Sequence, residues 1–131
     1  VSRTVLVVED TETCAATLEV ALGEIPEVEV SLAASAAAAL RVLRRDRPHI
    51  CAIVTDLNLP AMDGFELIRT IREDPRLARM PIIVTSADPD PRTPGRTYAL
   101  GADAYFAKPY SPALVRQRLE QLLNAQRSPD P

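Results

Sequence analysis

Glu9, Asp10, Asp56, Ser86 and Lys108 share one property: each directly follows or closes a short, largely apolar run. Val5–Val8 leads into Glu9 and Asp10, Ile50–Thr55 into Asp56, Ile82–Thr85 into Ser86, and Ala104–Ala107 into Lys108. Together they supply three carboxylates, one hydroxyl and one ammonium. Three carboxylates about 5 Å apart would repel by roughly 3 kcal/mol per pair at an effective dielectric of about 20. Protonation of one of them, or a bound cation, relieves that repulsion. An all-oxygen donor set with open positions suits Mg²⁺, which keeps several waters and prefers one or two carboxylates plus a phosphate. A lone ammonium and a hydroxyl opposite such a cation can hold the oxygens of a phosphoryl group, as phosphoryl transfer requires. One carboxylate then acts as nucleophile. Asp56 is the candidate, because Glu9 and Asp10 can hold the metal from the neighbouring strand.

Taken singly, each residue has an ordinary explanation. Acidic residues suit the positive end of a following helix, an aspartate can cap a turn, and a lone Ser or Lys suits a solvated surface. What singles them out is that all occupy equivalent positions at once.

Those positions converge only if the runs are parallel strands. Val5–Val8, Ile50–Thr55, Ile82–Thr85 and Ala104–Ala107 are too short for helices, and the first three are rich in β-branched residues, as buried strands are. Val28, Val30 and Leu32 alternate with Glu29 and Ser31, the pattern of a strand near a sheet edge. Helical patterns lie between them. Thr11–Glu24 carries Ala15, Leu18, Ala21 and Leu22, and Ala36–Arg45 follows a Ser35 cap and stops before Pro48. In the next helix Asp63 and Glu66 have capping-box spacing, and Phe65, Ile68 and Ile71 form the expected buried stripe. The last helix opens on Ser111 and Pro112 and runs through Leu114, Val115, Leu119, Leu122 and Leu123. Five strands alternating with helices predict an α/β doubly wound parallel sheet with helices on both faces. Ligands of such sheets bind at the carboxyl ends of the strands.

Pro89, Pro91, Pro94 and Gly95 crowd the place where a fourth helix should begin. Proline in a helix interior costs about 3 kcal/mol, so this helix is expected either to be short, over Thr93–Leu100, or to follow a long irregular loop. Residues 1–126 read as one domain and 127–131 as a flexible tail.

The 131 residues suffice for one core, and the net charge of −3 with interspersed signs points to neither a nucleic-acid nor a membrane surface. Cys14 and Cys51 match no metal spacing and read as reduced packing residues of a cytoplasmic protein. Of fifteen basic residues Lys108 is the only lysine, a position where a compact ammonium is preferred to a planar guanidinium. His49, the only histidine, reads as structural.

The stretches VVED, TDLNLPAMDG, PIIVTSA and GADAYFAKPY, in that order, resemble the receiver domain of two-component response regulators from about Arg3 to Asn124. The resemblance implies a flavodoxin-like five-stranded sheet of order 2-1-3-4-5. It implies Mg²⁺ held by Glu9, Asp10, Asp56 and the backbone carbonyl of Asn58. Asp56 would be the phosphoacceptor, Ser86 and Lys108 would contact the phosphoryl oxygens, and the Lys108–Pro109 bond would be cis. Tyr105 matches an aromatic switch position that packs inward when Ser86 is drawn to the phosphoryl group. The implied donor is a histidine kinase or histidine phosphotransfer protein, and the implied output surface is the fourth helix, fifth strand and fifth helix. Asn58 and Asp88 hold the two variable positions flanking the site and are expected to tune the lifetime of the phosphorylated state.

Two features depart from the family pattern: the proline-rich approach to the fourth helix, and Thr85 at a position more often apolar. Other readings compete. A receiver-like interaction module would bind its partner without phosphate. A metal-dependent phosphatase would need a second acid where Asn58 stands, and a dinucleotide binder would need a G-x-G-x-x-G after the first strand, which is missing. The expected molecule is therefore a signalling phosphoacceptor rather than an enzyme acting on other substrates, with no nucleic-acid or membrane contact of its own.

Overall fold

The structure, a computed structural model, describes residues 3–45 and 47–127. Strands and helices alternate as β1 (Arg3–Val8), α1 (Glu12–Gly23), β2 (Val28–Ala33), α2 (Ala36–Leu43), β3 (Ile50–Asp56), α3 (Gly64–Glu73), β4 (Ile82–Ser86), α4 (Thr93–Leu100), β5 (Ala104–Ala107) and α5 (Pro112–Arg127). The strands form one parallel sheet of order β2-β1-β3-β4-β5, the flavodoxin-like arrangement. The alternating β2 pattern belongs to an edge strand, as expected. The helix over Thr93–Leu100 and the strand over Ala104–Ala107 have the expected limits. The last helix continues one residue past the expected end of the domain, to Arg127, and residues 128–131 of the expected tail lie outside the described residues.

Each sheet face carries its own core. Leu6, Val8, Ile53, Ile82 and Val84 pack against Leu40, Leu43, Leu67, Ile68 and Ile71 of α2 and α3. Val5, Val7, Ala52, Val54 and Ile83 pack against Leu18, Leu22, Val115, Leu119 and Leu123 of α1 and α5. Both faces are covered, so the central strands are continuously buried and show no polar alternation. Within β3 the ladder slips: Thr4 pairs with Ile50, but Val5 pairs with Ala52. Cys51 is the extra residue of a bulge, and its thiol donates to Thr4 O at 3.3 Å. Ile50 and Ile53 are three positions apart, a spacing that would place them on opposite faces of a regular strand. The bulge lets both join the α2–α3 core.

Local chemistry sets the helix starts. Ser35 Oγ accepts Ala38 N–H at 3.1 Å, Asp63 Oδ1 accepts Glu66 N–H at 2.9 Å and Ser111 Oγ accepts Leu114 N–H at 3.3 Å. Helix α2 ends at Leu43, short of the expected Arg45. The α3 stripe differs from expectation by helical phase. In α3, Leu67 is fully buried while Phe65 is half-buried, with the Arg96 guanidinium 4.1 Å above its ring. In α5, Leu114 is exposed, and Val115, Leu119 and Leu123 carry the packing. Among the described residues, no helix is long and apolar enough to cross a membrane.

Candidate functional site

The carboxyl ends of β1, β3, β4 and β5 share one edge of the sheet, and there the chemistry collects. Asp56 is the last residue of β3, 5% exposed, in register with Thr85 of β4. The chain beyond it is fixed at once: Leu57 N–H donates to Thr85 O at 3.1 Å, and Asn58 N–H to Asp56 Oδ1 at 3.1 Å. Gly64 opens α3 against this turn. A Cβ there would lie 2.6 Å from Leu57 Cα and 2.7 Å from Asp56 O, so only glycine permits the approach.

Glu9 continues from β1, its N–H bonded to Ala33 O at 3.0 Å, with its carboxylate buried; Asp10 beside it is exposed. Glu9, Asp10 and Asp56 each offer an oxygen, and the three oxygens lie within 4.8 Å of one another. Lys108 closes the pocket from the end of β5. Its N–H bonds Ser86 O at 2.7 Å, and its Nζ donates to Glu9 Oε1 at 2.8 Å and Asp56 Oδ2 at 2.9 Å. The Lys108–Pro109 bond is cis, as expected, and so is Arg47–Pro48.

One ammonium does not balance three carboxylates. Burial pushes the Glu9 pKa above the usual carboxylate range; the Lys108 hydrogen bond opposes the shift and the nearby Asp56 charge adds to it. For Lys108, burial alone would lower the pKa. The hydrogen bonds to Glu9 and Asp56 and their charges outweigh it and hold the pKa above the ordinary lysine value. Lys108 is thus a permanent cation, and the cluster keeps a surplus of negative charge. It is an acidic group able to take a further cation.

The family described as "Response regulator receiver domain" matches residues 5–120. This chain belongs to that family. A chemotaxis protein CheY homolog of Campylobacter jejuni is 26% identical over 118 residues, covering 90% of each chain. The solved receiver domain of a signal transduction histidine kinase from Syntrophus aciditrophicus superposes with a TM-score of 0.86 at 29% identity, covering 98% of this chain and 96% of that one. The phosphorylated cyanobacterial phytochrome response regulator RcpA superposes with a TM-score of 0.81 at 25% identity, covering 98% and 96%. The chain spans only 12% and 29% of the length of two other curated relatives that it matches.

In this receiver domain the remaining expected residues are placed unevenly about the acidic pocket. Ser86, at the end of β4, is fully buried, and its Oγ accepts Asp88 N–H at 2.9 Å. Asn58 is exposed at the mouth, joined to Asp56 through its backbone. Asp88 turns away: its Oδ1 accepts Asp90 N–H at 2.9 Å and its Oδ2 accepts the Thr93 hydroxyl at 3.0 Å. Tyr105 is half-buried against the core on the α2–α3 side.

Thr93 and Tyr110 were not expected. Thr93 is 1% exposed and begins α4. Tyr110 follows the cis proline, and burial, then the field of Cys14, pushes its phenol up to about 12. A signal for Thr93 was present, since a threonine before a proline-opened helix is a candidate for polar anchoring. Tyr110 carried none.

Proposed function

We propose that this receiver domain takes a phosphoryl group onto Asp56 from a histidine kinase or histidine phosphotransfer protein of a two-component or phosphorelay system. The observation that supports this best is the lone Lys108 ammonium, 2.9 Å from Asp56 Oδ2 and 2.8 Å from Glu9 Oε1, beside three carboxylates with oxygens within 4.8 Å of one another. In the step, an Asp56 oxygen forms the O–P bond as the donor's N–P bond breaks, and the imidazole leaves with the electron pair and takes up a proton. A solved relative, RcpA, is named as phosphorylated, which supports a phosphorylated state for this domain.

Glu9, Asp10 and Asp56, with the Asn58 carbonyl, would hold Mg²⁺; their all-oxygen donor set fits it, and when bound it neutralises charge on the phosphoryl oxygens. Lys108 carries three donor protons and spends two on Glu9 and Asp56. Turning one toward a phosphoryl oxygen keeps its charge beside the reacting atoms. Asn58 N–H orients Asp56 from the opposite oxygen. Ser86 follows the phosphoryl group, Tyr105 responds, and the α4–β5–α5 surface carries the signal to an output partner. The domain turns over nothing but its own phosphoryl group, in the cytoplasm, without contacting nucleic acid.

Intact mass after incubation with a small phosphoramidate, with and without Mg²⁺, tests this. Wild type gains one phosphoryl group only with Mg²⁺, and Asp56→Asn gains none. No gain under any condition replaces the reading with the phosphate-independent interaction module. Chasing the phosphorylated sample without donor tests Asn58 and Asp88: exchanging both changes the decay rate, and an unchanged rate removes them as tuning residues.

A further inference from the structure

The segment from Ser86 to Thr93 is proline-rich, yet the amides of residues 88, 90, 92 and 93 are all bonded. Ser86 Oγ accepts Asp88 N–H at 2.9 Å, Asp88 Oδ1 accepts Asp90 N–H at 2.9 Å, and Asp90 Oδ1 accepts Arg92 N–H at 2.9 Å. Each side chain thus bonds the amide two residues on, and prolines 89 and 91 occupy positions between those amides. The ladder ends on a fixed point: Thr93, 1% exposed, donates its hydroxyl to Asp88 Oδ2 at 3.0 Å. Its own N–H bonds Asp90 O at 3.1 Å. Helix α4 is itself held down by Arg96 over Phe65 of α3.

We infer that Asp88 and Thr93 are positioning residues for Ser86, forming a latch that holds its hydroxyl toward the β4–α4 segment and away from the acidic pocket. The inference rests on the phosphoacceptor reading above. Ser86 is fully buried, and its hydroxyl bonds Asp88 rather than Asp56 or Lys108. Rotating that hydroxyl about its Cα–Cβ bond toward an oxygen of a phosphoryl group on Asp56 gives up the Asp88 N–H. Asp88 cannot follow, because Thr93 holds its carboxylate, and proline at 89 and 91 fixes φ at two of the backbone joints. The latch therefore favours the unphosphorylated arrangement, and phosphorylation must supply the free energy that opens it.

The experiment uses the whole chain. Wild type, Thr93→Val and Thr93→Ser are compared by initial rate of phosphorylation from phosphoramidate with Mg²⁺. The Asp88 amide is followed in parallel by hydrogen exchange without donor or metal. Losing one hydrogen bond of ordinary strength shifts a two-state balance roughly fivefold. Thr93→Val is expected to be phosphorylated about that much faster and to exchange the Asp88 amide about that much faster. Thr93→Ser keeps the donor and retains both wild-type values. Should Thr93→Val not fold, Thr93→Ala carries the same test. A phosphorylated wild type with an unchanged or slower folded variant overturns the latch and leaves the phosphoacceptor reading standing. A wild type that takes no phosphoryl group overturns both.

Discussion

Arg72 is the residue on which the fold is expected to depend most per side chain. It lies in the last turn of α3, with its side chain 19% exposed. Its Nε and Nη2 donate to Gly101 O at 3.1 and 2.8 Å, and Nη1 to Leu77, Ala78 and Met80 carbonyls at 3.3, 3.0 and 2.7 Å. Nη2 also meets Asp103 Oδ2 at 3.1 Å, and that oxygen accepts Ile82 N–H at 2.8 Å. One guanidinium thereby ties the end of α3, the entry to β4 and the turn between α4 and β5. Replacing Arg72 by Met keeps the stem and removes every donor. Hydrogen bonds to charged groups contribute about 1.5–3 kcal/mol each, but they share one group and do not add. Breaking a buried charged network costs about 3–5 kcal/mol. With a fifth of the side chain open to water, the lower end applies, and we expect a loss of about 3 kcal/mol. For a domain of this size that corresponds to a melting point lower by roughly 10–15 °C. Lysine keeps the charge but not the fork and should lose about 2 kcal/mol. Urea denaturation measures it, as a lower midpoint at unchanged slope. A double-mutant cycle with Asp103→Asn should show coupling. A loss below about 1 kcal/mol for Arg72→Met, the level of a single ordinary bond, would refute the clamp.

Two further outcomes follow from particular contacts. Gly64→Ala places a Cβ 2.6 Å from the Leu57 backbone. Overpacking of this kind costs about 1–3 kcal/mol, and since the clash lies beside Asp56, phosphorylation at a temperature where the variant is folded should fall as well; a variant with normal rate and stability would contradict the close approach. Burial followed by the field of Cys14 raises the Tyr110 phenol to about 12, while an unfolded phenol titrates at about 10. The folded state therefore holds this proton more tightly, so stability is unaffected below pH of about 10 and is lost as pH rises from there through the folded value. Phenolate absorbance should show a late phase that Tyr110→Phe removes, and the variant should lose less stability over that range.

Which features were legible depends on whether they are written in side chains or in backbone. The pocket was legible because a parallel sheet brings all its carboxyl ends to one edge, so the residue that closes each run identifies the site without knowledge of packing. Glu9, Asp10, Asp56 and Lys108 meet for that reason. Arg72 was not legible, because four of its five acceptor residues contribute backbone carbonyls, which every residue has. The bulge at Cys51 was hidden for a related reason. A strand buried on both faces has no polar alternation, so nothing marks the residue at which its phase slips. The misplaced stripe at Phe65 comes from a helix whose apolar residues exceed the arc that the core can take. The proline-rich stretch is the instructive case. The prolines correctly predicted a short α4, but they also suggested an irregular approach to it. Proline has no N–H, so residues 88, 90 and 92 keep the amides that need partners around prolines 89 and 91. Each of those amides has a Ser or Asp two residues before it, and the structure uses all three pairs. The same alternation that forbids a helix thus specifies an ordered strap, and its anchoring at Thr93 makes that strap a connection between Ser86 and α4 rather than a loop.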